Sequence, residues 1–140
     1  MLYFAILCVI VKSDPYAQIG GRPAGTHEHW EGIPRGSSLR SGCWLCRYGC
    51  AVLSTLKLKG LYPSKENVER YLDSNADMVW SWAGLRYSDE IVAPSVGKVS
   101  GRSHYVYIQR ESGGSFTIYD PDGGRYRTGV SESYFDYCYY

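Results

Sequence analysis

Between His104 and Asp120 the side chains change character at every second position. His104, Val106 and Ile108 share one side of an extended chain and Tyr105 and Tyr107 the other. After ESGGS the pattern resumes with Phe116, Ile118 and Asp120 against Thr117 and Tyr119. A period of two belongs to β-strands, whose successive side chains point to opposite faces. Ser-Gly-Gly supplies a turn, and Pro121, which has no N–H to donate to a ladder, stops the second run. The stretch is a β-hairpin, and a hairpin constrains the rest of the chain: it needs further strands or a helix to bury its apolar face.

The register of this hairpin decides which side chains meet. Folded about Ser112, it sets Ile108 opposite Phe116, Val106 opposite Ile118 and His104 opposite Asp120. Cβ atoms of a directly opposed pair lie about 5 Å apart. At that separation a carboxylate orients an imidazole through a hydrogen bond. A two-residue turn at Gly113-Gly114 shifts the register and breaks this opposition, so two pairings stand as alternatives.

Upstream the period is helical. In RYGCAVLSTLKLKG, residues 47 to 60, Val52, Leu53 and Leu56 lie on one side, Lys57 and Lys59 fall in the last turn, and Gly60 takes the position after the helix. A second helix is predicted from Ser64, an N-cap residue, with Glu66 near its positive end and Val68, Tyr71 and Leu72 at helical spacing. MVWSWAGLRY, residues 78 to 87, fits a third short helix or a strand. Residues 126 to 140 read as a further strand at the edge or base of the sheet. Helices packed on a small antiparallel sheet make an α+β fold, and 140 residues suffice for one domain with a real core.

The N-terminal part is less regular. Residues 13 to 42 read as one long loop rich in glycine. The opening MLYFAILCVIV is apolar for eleven residues, with no basic n-region and no A-x-A pattern before Lys12, and is expected to be a buried strand, with a cleaved or atypical leader as the alternative. A membrane-spanning helix needs about 20 apolar residues, so no membrane span is expected. The net charge of +1 indicates neither a nucleic-acid footprint nor an acidic tail.

Cys50 follows Gly49 at the head of the first predicted helix, where uncompensated N–H groups and the helix dipole favour a thiolate. A cysteine, a histidine and a third group that orients the histidine are the parts of thiol-dependent acyl transfer. Cys50, His104 and Asp120 occur in that order, and the helix start can donate an N–H to an oxyanion. At these residues the chain resembles a known family. YGCAVLSTLKLKGLYPSKENVERYL, a tryptophan-containing segment and HYVYIQRESGGSFTIYDPDGG look like the papain-like cysteine peptidases of the bacteriocin-leader-processing type, with their phage and bacterial stand-alone relatives. SDPYA is similar to the D-P-x-W/Y-A element that opens such domains.

The resemblance covers about residues 13 to 124. It implies a papain-like fold, with Cys50 as nucleophile, His104 as general base and acid, and Asp120 as orienting carboxylate. It also implies a peptide or a peptidoglycan cross-link as substrate, no cofactor and no metal. Through the phage relatives it implies a virion-associated or cell-wall-directed setting and assembly with other virion proteins.

One departure stands out. The family's glutamine, which gives the oxyanion a side-chain donor, usually lies just ahead of the D-P element. Here that neighbourhood reads Val11, Lys12, Ser13, leaving Gln18 and Ser13 as the oxyanion candidates with Lys12 as a further substitute. Loss of one such donor costs about 100 to 1,000-fold in rate. A catalytically inactive papain-like binding or virion module is therefore the alternative reading.

Other residues keep their own alternatives. Five cysteines cannot all pair. Cys43-x-x-Cys46 with Cys50 suggests a zinc half-site, completed by His27, His29, Cys8 or Cys138. Cys43-Trp44 offers a second nucleophile position. Trp30, Trp44, Trp80 and Trp82 are expected chiefly in the core rather than along a groove, and fourteen tyrosines suggest an adhesive surface.

Overall fold

The computed structural model describes residues 14–18, Leu45 and 48–140. The N-terminal apolar run, most of the 13 to 42 segment, Cys43, Cys46 and the candidate oxyanion residue Ser13 lie outside the described residues.

Helix α1 spans Cys50–Lys59 and ends at Gly60, whose φ of 65° is the left-handed conformation that glycine adopts without a Cβ clash. The Gly60 and Leu61 N–H groups return to the Lys57 and Leu56 carbonyls, satisfying the open end of the helix. Helix α2, Lys65–Arg70, starts where the Ser64 hydroxyl accepts the Asn67 N–H, as the cap predicted. The tryptophan segment forms a short helix of the 3₁₀ type, Trp80–Ala83, closed by Gly84, and a strand opens at its last residue, Tyr87.

Six strands follow: β1 Tyr87–Ser88, β2 Ser95–Val99, β3 Tyr105–Ser112, β4 Ser115–Asp120, β5 Arg125–Ser131 and β6 Phe135–Tyr139. They form one antiparallel sheet in the order β1-β6-β2-β3-β4-β5. The fold is α+β. The tyrosine-rich end contributes two strands rather than one, and β6 sits inside the sheet between β1 and β2. Strand β2 was not legible in the sequence.

The apolar side chains divide into two groups. Val52, Leu53 and Leu56 of α1 pack with Leu45, Val68, Tyr71 and Leu72 into a helical core. Val106, Ile108, Phe116, Ile118, Val130 and Phe135 form a second core along one face of the sheet. On the other face α1 lies over β2 and β3: the Ser54 hydroxyl donates to the Tyr105 carbonyl, and the Lys57 side chain reaches on to β4, its ammonium 4.2 Å from the Tyr119 ring centre.

The hairpin register differs from direct His104–Asp120 opposition. The turn is the two-residue Gly113-Gly114 one, pairing Ser112 with Ser115, Glu111 with Phe116 and Arg110 with Thr117. Continued regularly, that ladder would put Tyr107 opposite Asp120 and send His104 to the other face. A β-bulge at Gln109 intervenes, and beyond it Ile108 pairs with Ile118 and Tyr107 with Tyr119. One step further brings Val106 opposite Asp120, so His104 and Asp120 return to a common face as a diagonal pair, within reach of an imidazole.

Deletion of Gln109 should therefore regularise the ladder without inverting any face, changing stability by no more than about 1 kcal/mol. Deletion of Tyr107 should turn His104 away from Asp120, expose one apolar position per pair and cost several times as much. Urea unfolding of the two deletions measures the difference.

Candidate active site

Cys50 sits at the first position of α1, preceded by Gly49. A side chain at Gly49 has no room, because a Cβ there would lie 2.5 Å from the Leu45 carbonyl oxygen. The glycine that marked the motif is thus a packing requirement at the helix entry. His104 is buried, directly ahead of β3, and its Nε2 lies 2.7 Å from Asp120 Oδ1 at the end of β4. The Cys50 side chain lies beside the same imidazole and favours its charged form. With Nε2 directed at Asp120, Nδ1 is the ring nitrogen left for the thiol. The three residues singled out in the sequence are thereby brought into one line, Cys50 to His104 to Asp120.

Burial of the ring opposes its positive charge. The hydrogen bond to Asp120 and the charge of that carboxylate, with Cys50 beside the ring, outweigh burial and push the histidine from 6.5 up to about 9. The imidazolium form is therefore held across neutral pH. It donates one N–H to the carboxylate and has the other for the sulfur.

Asp120 is itself fixed. Its Oδ1 also accepts the Asp122 N–H at 2.9 Å. The DPYA stretch and Gln18 brace the turn that follows it: the Gln18 N–H donates to the Pro121 carbonyl at 2.6 Å, and the Gly123 N–H donates to the Gln18 carbonyl at 3.3 Å. Asp14 anchors this brace by accepting the Tyr16 N–H at 3.0 Å and the Tyr119 hydroxyl. The Tyr16 hydroxyl donates to the Leu61 carbonyl at 2.9 Å, tying the brace to the far end of α1. Gly124 is needed here, since its φ is 64° and a Cβ would lie 2.8 Å from that of Ala17. The sequence flagged this element as a motif; its work as a brace on Asp120 was not readable.

Gln18 is buried, and its side-chain Nε2 donates to the Leu45 carbonyl at 3.3 Å. An amide nitrogen carries two N–H groups, and this bond uses one. Gln18 is thus positioned at the segment that leads into α1 while already engaged with its backbone.

A cleft of about 390 Å³ opens at Cys50, with Tyr48, Leu72, Asp77, Met78, Trp80 and Tyr105 among its walls. Trp80 stacks flat on Tyr139 at 4.0 Å and tilts against Tyr105 at 5.2 Å. Trp80 is only partly buried and Trp82 is 56% exposed, so these two do not fill the core as expected. They lie on a short turn whose four residues leave only Ala83 buried. Trp30 and Trp44 lie outside the described residues.

Of the proposed zinc ligands, Cys8, His27, His29, Cys43 and Cys46 also lie outside the described residues. Cys138 is buried and donates its thiol to the Glu90 carbonyl at 3.4 Å. Among the described residues no group of three or more His, Cys, Asp or Glu side chains converges on one point. No helix among them is long and apolar enough to cross a membrane. No protein-family model, curated protein or solved structure matches this chain.

Because the folded histidine titrates above its unfolded value, its contribution to stability is full below pH 6.5 and is lost as pH rises through about 9. The upper bound is about 3 kcal/mol. Urea unfolding at pH 6 and pH 9.5 should show the wild-type advantage over His104→Asn shrinking toward the higher pH.

Proposed function

We propose that this chain is a papain-like thiol hydrolase that cleaves an amide bond in a peptide or a peptidoglycan cross-link. The observation that carries the reading is the alignment of Cys50, His104 and Asp120: His104 Nε2 lies 2.7 Å from Asp120 Oδ1, the Cys50 side chain lies beside the same ring, and Cys50 lines a cleft. A thiol, an imidazole and a carboxylate in series match the needs of acyl transfer.

In this reading the Cys50 thiolate attacks the carbonyl carbon, and the pair of electrons displaced to oxygen makes an oxyanion. Backbone N–H groups at the head of α1 face that charge, as a helix N-terminus favours. Collapse of the intermediate breaks the C–N bond as the imidazolium of His104 gives its Nδ1 proton to the leaving amine. The neutral imidazole then takes a proton from water, whose oxygen attacks the thioester carbon. Cleavage of the C–S bond releases the acid and returns the thiolate and the imidazolium. Asp120 holds the ring in one orientation and stabilises its charge throughout.

Gln18 is the side-chain candidate for the oxyanion. Its hydrogen bond to the Leu45 carbonyl favours a second reading, a papain-like shell that binds without hydrolysing, because an engaged amide is a poorer donor to a passing charge. The virion-associated setting belongs to both readings.

Two measurements separate them. Alkylation of Cys50 by iodoacetamide at pH 7, followed by mass spectrometry of its peptide, should slow about tenfold or more in His104→Ala. Equal rates would remove the hydrolase reading. Incubation with defined peptides and with purified peptidoglycan should release new amino termini, absent in Cys50→Ala. In the active protein Gln18→Ala should lower kcat about 100-fold or more, and an unchanged kcat would remove Gln18 from the oxyanion site.

A further inference from the structure

The cleft beside Cys50 has a chemistry of its own. Cys50 lines it, together with Ser103 and Tyr105, the residues on either side of His104. The leaving amine has to meet the imidazole that protonates it and departs once the C–N bond breaks. The acyl residue stays bound to sulfur as the thioester, so its side chain takes the space that opens at Cys50.

The walls of this space are of three kinds. Leu72 and Met78 give it an apolar lining, suited to methylene groups. Trp80 and Tyr105 give it an aromatic wall that is held rigidly, since Trp80 is stacked flat on Tyr139 and the Tyr105 hydroxyl is hydrogen-bonded to that of Tyr137 at 3.0 Å. Aromatic faces attract cations. The third kind is charge, and Asp77 is the one charged residue among the described residues that line the cleft. Its carboxylate has no hydrogen bond and no ion pair among the described residues.

Asp77 is also held in place by its backbone. The Asp73 carboxylate accepts the N–H groups of Asn75 and Asp77 at 2.8 and 3.0 Å, and the Asp73 N–H donates to the Asp77 carbonyl at 2.9 Å. Ala76 takes a φ of 64°, a left-handed conformation costly for a residue with a Cβ. The turn that presents Asp77 to the cleft is thus set by bonds that leave its side chain uncommitted.

From these walls we infer that the acyl residue of the substrate is lysine-like: a methylene stem ending in an amine, with the stem along Leu72 and Met78 and the ammonium at Asp77 beside the aromatic wall. A long amine side chain buries its stem and keeps its charge at a polar rim. The inference rests on the hydrolase reading of Cys50.

The test uses two affinity labels that place a chloromethyl ketone next to an acyl residue, N-acetyl-lysine chloromethyl ketone and its uncharged counterpart built on norleucine. Labelling of Cys50 is followed by mass spectrometry, with iodoacetamide as the reference for the nucleophile alone. The lysine label should react at least about tenfold faster than the norleucine label, and Asp77→Asn should bring the ratio close to one while leaving the iodoacetamide rate unchanged. Asp77→Glu should keep most of the preference, which a loss of fold would not. A ratio near one in the wild type, or a ratio that survives Asp77→Asn, overturns the inference. Failure of the hydrolase reading shows separately, as an iodoacetamide rate that does not respond to His104→Ala.

Discussion

The β-bulge at Gln109 sets the parity of every residue before it in β3. The Gly113-Gly114 turn launches the hairpin in a register that would place Tyr107 across from Asp120, and one unpaired residue restores the face on which Val106, Ile108 and Ile118 are buried. Because strand side chains alternate, that single step also decides where the histidine points. The apolar core and the candidate site thus share one constraint. Any rearrangement that turned His104 outward would turn Val106 and Ile108 outward with it, and burial of those side chains is what resists it.

Around the histidine, burial and charge act in opposite directions. A buried ring alone would give up its proton, yet Asp120 on one side and Cys50 on the other keep it charged. Such an arrangement holds only if the carboxylate cannot move, and much of the described N-terminal segment serves that end. Asp14, Tyr16 and Gln18 join the turn after β4 to the end of α1 and to the Tyr119 hydroxyl. The same segment brings Gln18 to the entry of α1, so one short stretch braces the carboxylate and supplies the amide candidate.

Much of the local structure was legible. The ends of α1 and α2 followed from Gly60 and Ser64 because each satisfies the open backbone groups of its own helix, a requirement met within a few residues. The alternation around Val106 and Ile118 was equally local. What escaped was longer in range. SVGKV became a central strand because β3 and β6 flank it, and the tryptophan turn is shaped by the aromatic rings it meets. Its two described tryptophans were expected inside; Trp80 walls the cleft and Trp82 faces solvent.

The candidate site divides the same way. Residue types and their order by themselves determined that Cys50 would head a helix and that His104 and Asp120 would end neighbouring strands, since helical and strand periods are properties of the local chain. Only the tertiary structure decided that they meet. The diagonal pairing depends on a bulge with no mark in the sequence, and the cleft joins side chains from the helix, the 73 to 78 turn and β3. Contacts between distant segments are chosen by how the whole chain packs, so neither the bulge nor Asp77 at the cleft could be read from the order of residues.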